Sequence, residues 1–125
     1  MKYNTILHID DDLDDCEFFK EALQSICEAS YLAINNPCEA LEKLKNNKLK
    51  PDLILLDINM PQMDGCSLLK AIRNNLATVN IPIIIFSTSP NESKNLTSDL
   101  DVMYYITKPY NFDDLKKVIR KILGL

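Results

Sequence analysis

Residues 51–65, PDLILLDINMPQMDG, leave this chain few ways to fold. Leu53, Ile54, Leu55 and Leu56 form an unbroken apolar run that stops at Asp57. A strand with one wet face alternates polar and apolar residues. A strand that is apolar at every position has to be covered on both faces, as in a parallel sheet between two layers of helices. A second run of this kind, Ile81 to Phe86 (IPIIIF), stops at the hydroxyl cluster Ser87-Thr88-Ser89. Asp57 therefore belongs at the carboxyl end of a buried strand, the edge where open α/β sheets hold their ligands. Met60-Pro61 demands an extended or turning backbone, and Asp64-Gly65 marks a turn into a helix. A carboxylate on such a strand end is a candidate nucleophile or metal ligand.

The rest of the chain repeats the alternation. Asn4 to Ile9 predicts a first strand that ends in Asp10-Asp11-Asp12. Phe19, Ala22, Leu23 and Ile26 follow at helical spacing, with Asp14, Asp15 and Glu17 in the first turns, where acids suit the helix dipole. Tyr31 to Asn35 predicts a short strand. Asn36-Pro37 then starts a helix with Ala40, Leu41 and Leu44 inward. Asp52 to Leu56 is the third strand, and a helix from about Cys66 carries Leu68, Leu69, Ile72 and Leu76 inward. The mostly polar stretch from Pro90 to Asp101 predicts a short helix anchored only by Leu96 and Leu100. Val102 to Thr107 is the fifth strand. Asn111 caps a last helix with the stripe Phe112, Leu115, Val118, Ile119 and Ile122. Strand then helix, five times without a long linker, predicts a doubly wound five-stranded parallel α/β sheet, order 2-1-3-4-5, with five helices. The expected unit is one domain over residues 1–125.

Composition excludes several classes. Hydrophobic residues make up 46% of the 125 positions and charged residues 26%, which suits an ordinary globular domain. A net charge of −4 argues against a nucleic-acid surface. No apolar run approaches the roughly 20 residues that cross a bilayer, and no signal peptide opens the chain. Cys16, Cys27, Cys38 and Cys66 lack CxxC spacing and suit reduced thiols in a cytoplasmic protein. The run Lys116, Lys117, Arg120 and Lys121 solvates the last helix and complements its dipole. His8, the only histidine, is expected as a satisfied core or edge residue rather than a phosphate carrier.

The polar residues that break the hydrophobic scheme fall in one place. In a parallel sheet, Asp10, Asp11 and Asp12 after strand one, Asp57 after strand three, Ser87 after strand four and Lys108 after strand five all share the carboxyl edge. Carboxylates so crowded repel each other unless a cation intervenes, and a hard oxygen-seeking ion such as Mg²⁺ relieves that repulsion. Lys108 adds a positive charge and Ser87 a hydroxyl donor. The set suits a phosphoryl group carried on Asp57.

The motifs ILHIDDD, PDLILLDINMPQMDG, PIIIFSTS and YYITKP, taken in this order and spacing, resemble the receiver domain of two-component response regulators, in its single-domain, CheY-like form. The resemblance covers essentially the whole chain. It implies that Asp57 is the phospho-acceptor, and that Asp10 and Asp11 are the acidic pair serving Mg²⁺. Asp57 and the backbone carbonyl of Asn59 would complete the metal ligands. Ser87 would stand at the switch hydroxyl position, Lys108 at the invariant lysine and Tyr105 at the switch aromatic. Asp12 leaves the register of the pair open by one place, with Asp10 and Asp11 favoured because they directly follow the strand. Asp101-Val102 stands where the family usually has a small Gly-Ala pair, which puts the shape of the fourth helix in question. Tyr104 and Tyr105 face opposite ways along a strand, one inward and one outward.

The implied function is a signalling receiver, catalysing only its own phosphoryl transfer and dephosphorylation. It would be fed by a histidine kinase or histidine phosphotransfer protein. Its output would be a downstream protein docking on the fourth helix, fifth strand and fifth helix, or onward relay of the phosphate. It is expected as a monomer or weak dimer without nucleic acid or membrane contact. A haloacid-dehalogenase phosphatase would put Thr or Gly soon after the second aspartate of Asp10-x-Asp12, where Leu13-Asp14 stands, and needs room for a cap. A flavodoxin-like carrier would need a glycine- and hydroxyl-rich loop where three aspartates stand.

Overall fold

A computed structural model of the protein describes residues 3–125; Met1 and Lys2, the start of the expected domain, lie outside the described residues. The elements in order are β1 (Thr5–Ile9), α1 (Leu13–Ile26), β2 (Ser30–Ile34), α2 (Pro37–Lys45), β3 (Leu53–Leu56) and α3 (Gly65–Arg73). They continue with β4 (Ile83–Ser87), a 3₁₀ turn (Pro90–Ser93), α4 (Lys94–Thr97), β5 (Tyr104–Thr107) and α5 (Phe112–Leu123). The five strands form one parallel sheet in the order β2-β1-β3-β4-β5.

Burial follows from that order. Every residue of β3 and β4, which lie inside the sheet, is buried, whereas β2 and β5 at the edges keep exposed positions. Two cores result, one on each face. Phe19, Ala22 and Leu23 of α1 join Leu115, Ile119 and Ile122 of α5 over Ile6, Leu53, Leu55, Ile84 and Phe86. Ala40 and Leu44 of α2 join Leu68, Leu69 and Ile72 of α3 over Leu7, Ile9, Ile54, Leu56, Ile83 and Ile85. Successive residues of each strand thus go to opposite cores.

The helices start where capping side chains stand. Asn36 accepts from the N–H groups of Cys38 and Glu39 with Pro37 in the first turn, and Asn111 accepts from Asp114. Asp64 accepts from the N–H of Ser67 and opens α3. The loop from Asp57 to α3 is close-packed: a Cβ on Gly65 would lie 2.6 Å from the Ile58 Cα and 2.8 Å from the Asp57 carbonyl. The Gly65 N–H donates to the Ile58 carbonyl at 3.0 Å.

Two expectations need correction. Leu76 is 96% exposed, because α3 ends at Arg73 and the Thr78 hydroxyl turns the chain back onto the Ile72 carbonyl at 2.6 Å. The segment before β5 is not held by Leu96, which is 63% exposed, whereas Leu100 is half-buried and packs against the second core as expected. Its buried anchors are Pro90, Ser93 and Thr97. The Ser93 hydroxyl donates to the Pro90 carbonyl and the Thr97 hydroxyl to the Ser93 carbonyl, each at 2.8 Å, so these polar side chains bury without an unpaired donor. Asp101 takes the left-handed conformation, φ 59°, that a glycine would adopt without strain. Its carbonyl is held by Arg73, whose guanidinium donates to the carbonyls of Val79, Ile81, Leu100 and Asp101 at 2.8–3.0 Å.

Candidate functional site

The carboxyl ends of β1, β3, β4 and β5 bring Asp10, Asp57, Ser87 and Lys108 to one edge of the sheet. Each position is fixed by its neighbours. The Asp57 N–H donates to the Ile9 carbonyl at 3.0 Å, tying β3 to β1 just below the carboxylates. The Lys108 N–H donates to the Ser87 carbonyl at 2.9 Å, tying β5 to β4. Carboxylate oxygens of Asp10, Asp11 and Asp57 all lie within 4.8 Å of one another. Asp10 and Asp57 are buried and Asp11 is half-buried.

Lys108 is the counter-charge. Its Nζ stands 2.6 Å from Oδ2 of Asp15, 2.8 Å from Oδ2 of Asp10 and 3.3 Å from Oδ2 of Asp57. The Asp15 and Asp57 contacts are hydrogen bonds, whereas that to Asp10 is an ion pair off the hydrogen-bonding direction. Burial alone would lower the Lys108 pKa, but the close contacts with Asp10 and Asp15 and the charges of Asp10 and Asp57 win and raise it. Asp10 is pushed up by burial, yet His8, Lys108 and the Asp12 N–H together hold it at about 2. Asp57 goes the other way: burial and the charge of Asp10 raise its pKa against the opposing pull of Lys108 and the Asn59 N–H. The site thus holds one firmly ionised acid and one whose charge is disfavoured until a further cation arrives.

The remaining predicted residues are placed as follows. Asn59 donates its N–H to Oδ1 of Asp57 at 3.1 Å and its side-chain amide to the Ser87 hydroxyl at 3.4 Å. Ser87 is fully buried and also accepts from the Ser89 N–H at 3.3 Å. Tyr105 is the half-buried tyrosine of β5 and Tyr104 the exposed one. The Tyr105 hydroxyl is 2.7 Å from that of Thr97, so it is engaged by α4 rather than by Ser87. Asp12 is the N-cap of α1, accepting from the N–H groups of Asp14 and Asp15. The carboxylates that converge with Asp57 are those of Asp10 and Asp11.

Two features correct the sequence reading. Asp15, expected only to suit the helix dipole, is a direct partner of Lys108. It stands in the first turn of α1, which opens at the same edge. His8 is buried as expected, but its Nε2 has no hydrogen-bond partner, and neither has Oδ2 of Asp10, which faces it at 3.4 Å. The period of two along β1 already put His8 and Asp10 on one face.

The donor set suits a hard divalent cation: three carboxylates, no thiolate and no accessible imidazole, with two of the acids buried and mutually repulsive.

Comparisons with known proteins agree with this geometry. The family model of the response regulator receiver domain matches residues 6–120. The chain is 32% identical over 124 residues to the response regulator Rcp1 of Synechocystis sp., covering 94% of this chain and 84% of that protein. It is 31% identical over 121 residues to the sensor histidine kinase CheAY of Helicobacter pylori, of which it spans only 15% while 96% of this chain is covered. Among solved structures, the phosphorylated cyanobacterial phytochrome response regulator RcpA superposes with a TM-score of 0.84 at 32% identity, over 96% of this chain and 91% of that one. The Mn²⁺-bound form of Rcp1 gives 0.82 at 30% identity, over 95% and 91%. The chain belongs to the response regulator receiver domain family, the modules of phosphorylation-dependent two-component signalling. Receiver domains bind a divalent metal ion and interact with histidine kinases and downstream targets. Among the described residues no helix is long and apolar enough to cross a membrane.

Proposed function

We propose that the chain is a receiver over residues 1–125 in which Asp57 accepts a phosphoryl group from a histidine kinase or histidine phosphotransfer protein. The observation that carries this reading is the meeting of Asp10, Asp11 and Asp57 within 4.8 Å, beside Lys108 and the buried hydroxyl of Ser87. As the P–O bond to Asp57 forms, the P–N bond of the donor phosphohistidine breaks, and the leaving nitrogen takes up a proton. Asp10, Asp11, Asp57 and the backbone carbonyl of Asn59 would hold Mg²⁺, which when bound would supply positive charge for the phosphoryl oxygens. Lys108 moves its Asp57 hydrogen bond to a phosphoryl oxygen, a short step because Asp10 and Asp15 hold the ammonium in place. Ser87 donates to a second oxygen. Hydrolysis reverses the charge flow: water attacks phosphorus in line with the Asp57 oxygen and leaves inorganic phosphate and a free carboxylate. No other reaction is assigned to the chain.

Readout passes through Ser87 and Tyr105 to the face of α4, β5 and α5, which either docks a downstream protein or works beside onward relay. Exposed Leu96 and Tyr104 on that face support the docking reading, as does the short, hydroxyl-anchored α4. The net charge of −4 supports a protein rather than a nucleic-acid partner. Cysteines free of disulfides suit a cytoplasmic setting, and a monomer or weak dimer is the assembly we assign.

Intact mass after incubation with a small phosphodonor and Mg²⁺ tests the assignment. One phosphate per chain is expected, labile to hydroxylamine and absent from Asp57→Asn. Stoichiometric phosphate persisting in that variant would move the acceptor elsewhere.

A further inference from the structure

Oδ2 of Asp10 is buried at 0% side-chain exposure and accepts no hydrogen bond. A buried acceptor left bare is costly, and it calls for a reason. Two nitrogens stand beside it, and neither serves it. The Tyr31 hydroxyl gives its proton to the Cys16 carbonyl at 3.0 Å, so Nδ1 of His8 donates to Tyr31 at 2.7 Å. Nε2 of His8, 3.4 Å from Oδ2, makes no hydrogen bond; the ring tautomer is assigned from this network. Lys108 is nearer. Its Nζ stands 2.8 Å from Oδ2, yet off the hydrogen-bonding direction. An ammonium has three protons to give, and two of these go to Oδ2 of Asp15 at 2.6 Å and to Oδ2 of Asp57 at 3.3 Å. Asp15 and Lys108 share a narrow cleft lined otherwise by Phe18, Phe19, Phe86, Pro109 and Leu115, whose side chains offer the ammonium no other acceptor.

We infer that Asp15 is a positioning residue for the divalent-metal site: it draws the Lys108 ammonium off Oδ2 of Asp10 and so keeps that carboxylate open to a cation. The Asp15 contact is the shortest of the three, and Asp15 stands on α1, outside the trio of Asp10, Asp11 and Asp57. Its side chain is 36% exposed, so it holds the ammonium from the rim. Oδ1 of Asp10 is already engaged by the Asp12 N–H at 2.9 Å, which leaves Oδ2 as the oxygen with no donor on it. Without Asp15, the proton it takes would turn to Oδ2 of Asp10, the nearer of the two carboxylate oxygens left to Lys108. That bond would satisfy the bare oxygen. It would also occupy a lone pair and fix a positive charge against the cluster, and an entering cation would have to displace it. Groups one step removed from a metal ligand typically change affinity by about 10- to 100-fold.

Asp15 has this role only if Asp10, Asp11 and Asp57 form a metal site, as proposed above, and the test separates the two readings. The probe is Mn²⁺, with binding followed by the electron paramagnetic resonance of the free ion, and melting in EDTA as a check on folding. Asp15→Ala should weaken Mn²⁺ binding about 10-fold. Asp15→Asn keeps an oxygen within reach of Nζ and should stay within about threefold of wild type. Asp14→Ala removes the neighbouring acid of the same first turn and should change affinity less than about twofold. Lys108→Met removes the proton donor. In that background Asp15→Ala should also change affinity less than about twofold, because nothing is left to turn onto Oδ2. Asp15→Ser, too short to reach the ammonium, replaces Asp15→Ala should that variant not fold. A loss of the same size with and without Lys108 would make Asp15 a simple charge near the metal and overturn the inference. Equal losses in Asp15→Asn and Asp15→Ala overturn it likewise, and so does wild-type affinity in folded Asp15→Ala. No Mn²⁺ binding by the wild type would remove the metal site itself, and the role of Asp15 with it.

Discussion

Asp57→Asn should stabilise the metal-free protein and abolish its stabilisation by Mg²⁺. The size follows from the distances. With oxygens of Asp10 and Asp11 no more than 4.8 Å from Asp57, each repulsion is about 3.5 kcal/mol at an effective dielectric constant near 20. Lys108 at 3.3 Å returns about 5 kcal/mol. About 2 kcal/mol of net repulsion remains, and water at half-buried Asp11 reduces it further. Burying an ionised carboxylate, which asparagine avoids, works in the same direction as the repulsion. The expected gain in EDTA is therefore about 1–2 kcal/mol, or roughly 4–8 °C in melting temperature for a domain of this size. Mg²⁺ reverses the order. At ten times its dissociation constant it adds about 1.4 kcal/mol to the wild type by mass action, and much less to a variant that lacks a ligand. Calorimetric melts of both proteins in EDTA and in millimolar Mg²⁺ read all four values. A variant less stable than wild type in EDTA would show that Lys108 already neutralises the cluster and that no cation is called for.

The raised pKa of Asp57 gives a pH dependence of opposite sign to that of Asp10. An acid with a folded pKa above its usual 3.8 destabilises when ionised, and that penalty is relieved as pH falls through the folded value. Asp10, held at about 2, contributes stability above pH 3.8 that is lost as pH falls toward 2. Urea unfolding in EDTA from pH 7 to pH 4 should therefore show the wild type losing less stability than Asp57→Asn; parallel curves would refute the shift. Arg73→Ala breaks four charge-assisted bonds to carbonyls, three of them part-buried and one exposed, and should cost about 2–3 kcal/mol by denaturant melts, with faster amide exchange around residues 98–103. Asp101→Gly should instead stabilise by up to about 1 kcal/mol by relieving a left-handed aspartate, and a loss would show that its carboxylate matters more to Arg73 than its backbone strain.

The fold was legible because its strongest signals are local. Two unbroken apolar runs demanded a sheet covered on both faces, and Asn36 and Asn111 carry their capping chemistry in their own side chains. What the sequence hid depends on partners distant along the chain. Arg73 looks like an ordinary cation in the last turn of α3, yet two of its acceptors lie 27 and 28 residues further on. Thr97 and Ser93 look like surface hydroxyls, and counting apolar anchors passes over side chains that bury by bonding to their own helix. Leu76 kept the helical spacing after the helix itself had stopped at Arg73. In the site, Asp10, Asp57, Ser87 and Lys108 were readable as strand ends. Asp15 and His8 stand within elements, on faces the periodicity defines, and only their contacts give them a role.

The engagement of each group before phosphorylation bears on how far the proposed switch has to move. Ser87 is an acceptor in both its contacts, from Asn59 and from Ser89, so its own proton has no acceptor among the described residues. It can turn to a phosphoryl oxygen without first breaking a bond that it donates. Tyr105 is held at the other end by one hydroxyl bond to Thr97, with the Lys94 ammonium 5.4 Å above its ring. A single such bond contributes about 1 kcal/mol net, and a partly exposed cation over a ring about 0.5–1. These two contacts therefore oppose the release of Tyr105 by about 2 kcal/mol at most, and the packing of its half-buried ring against the second core adds to that. The smaller the total, the less preference the phosphorylated site needs for the released form to move the balance. The anchoring of α4 by hydroxyls rather than by leucines keeps this total small. An apolar anchor at position 97 would remove the Tyr105 bond, yet it would also set buried hydrocarbon against any movement of the segment.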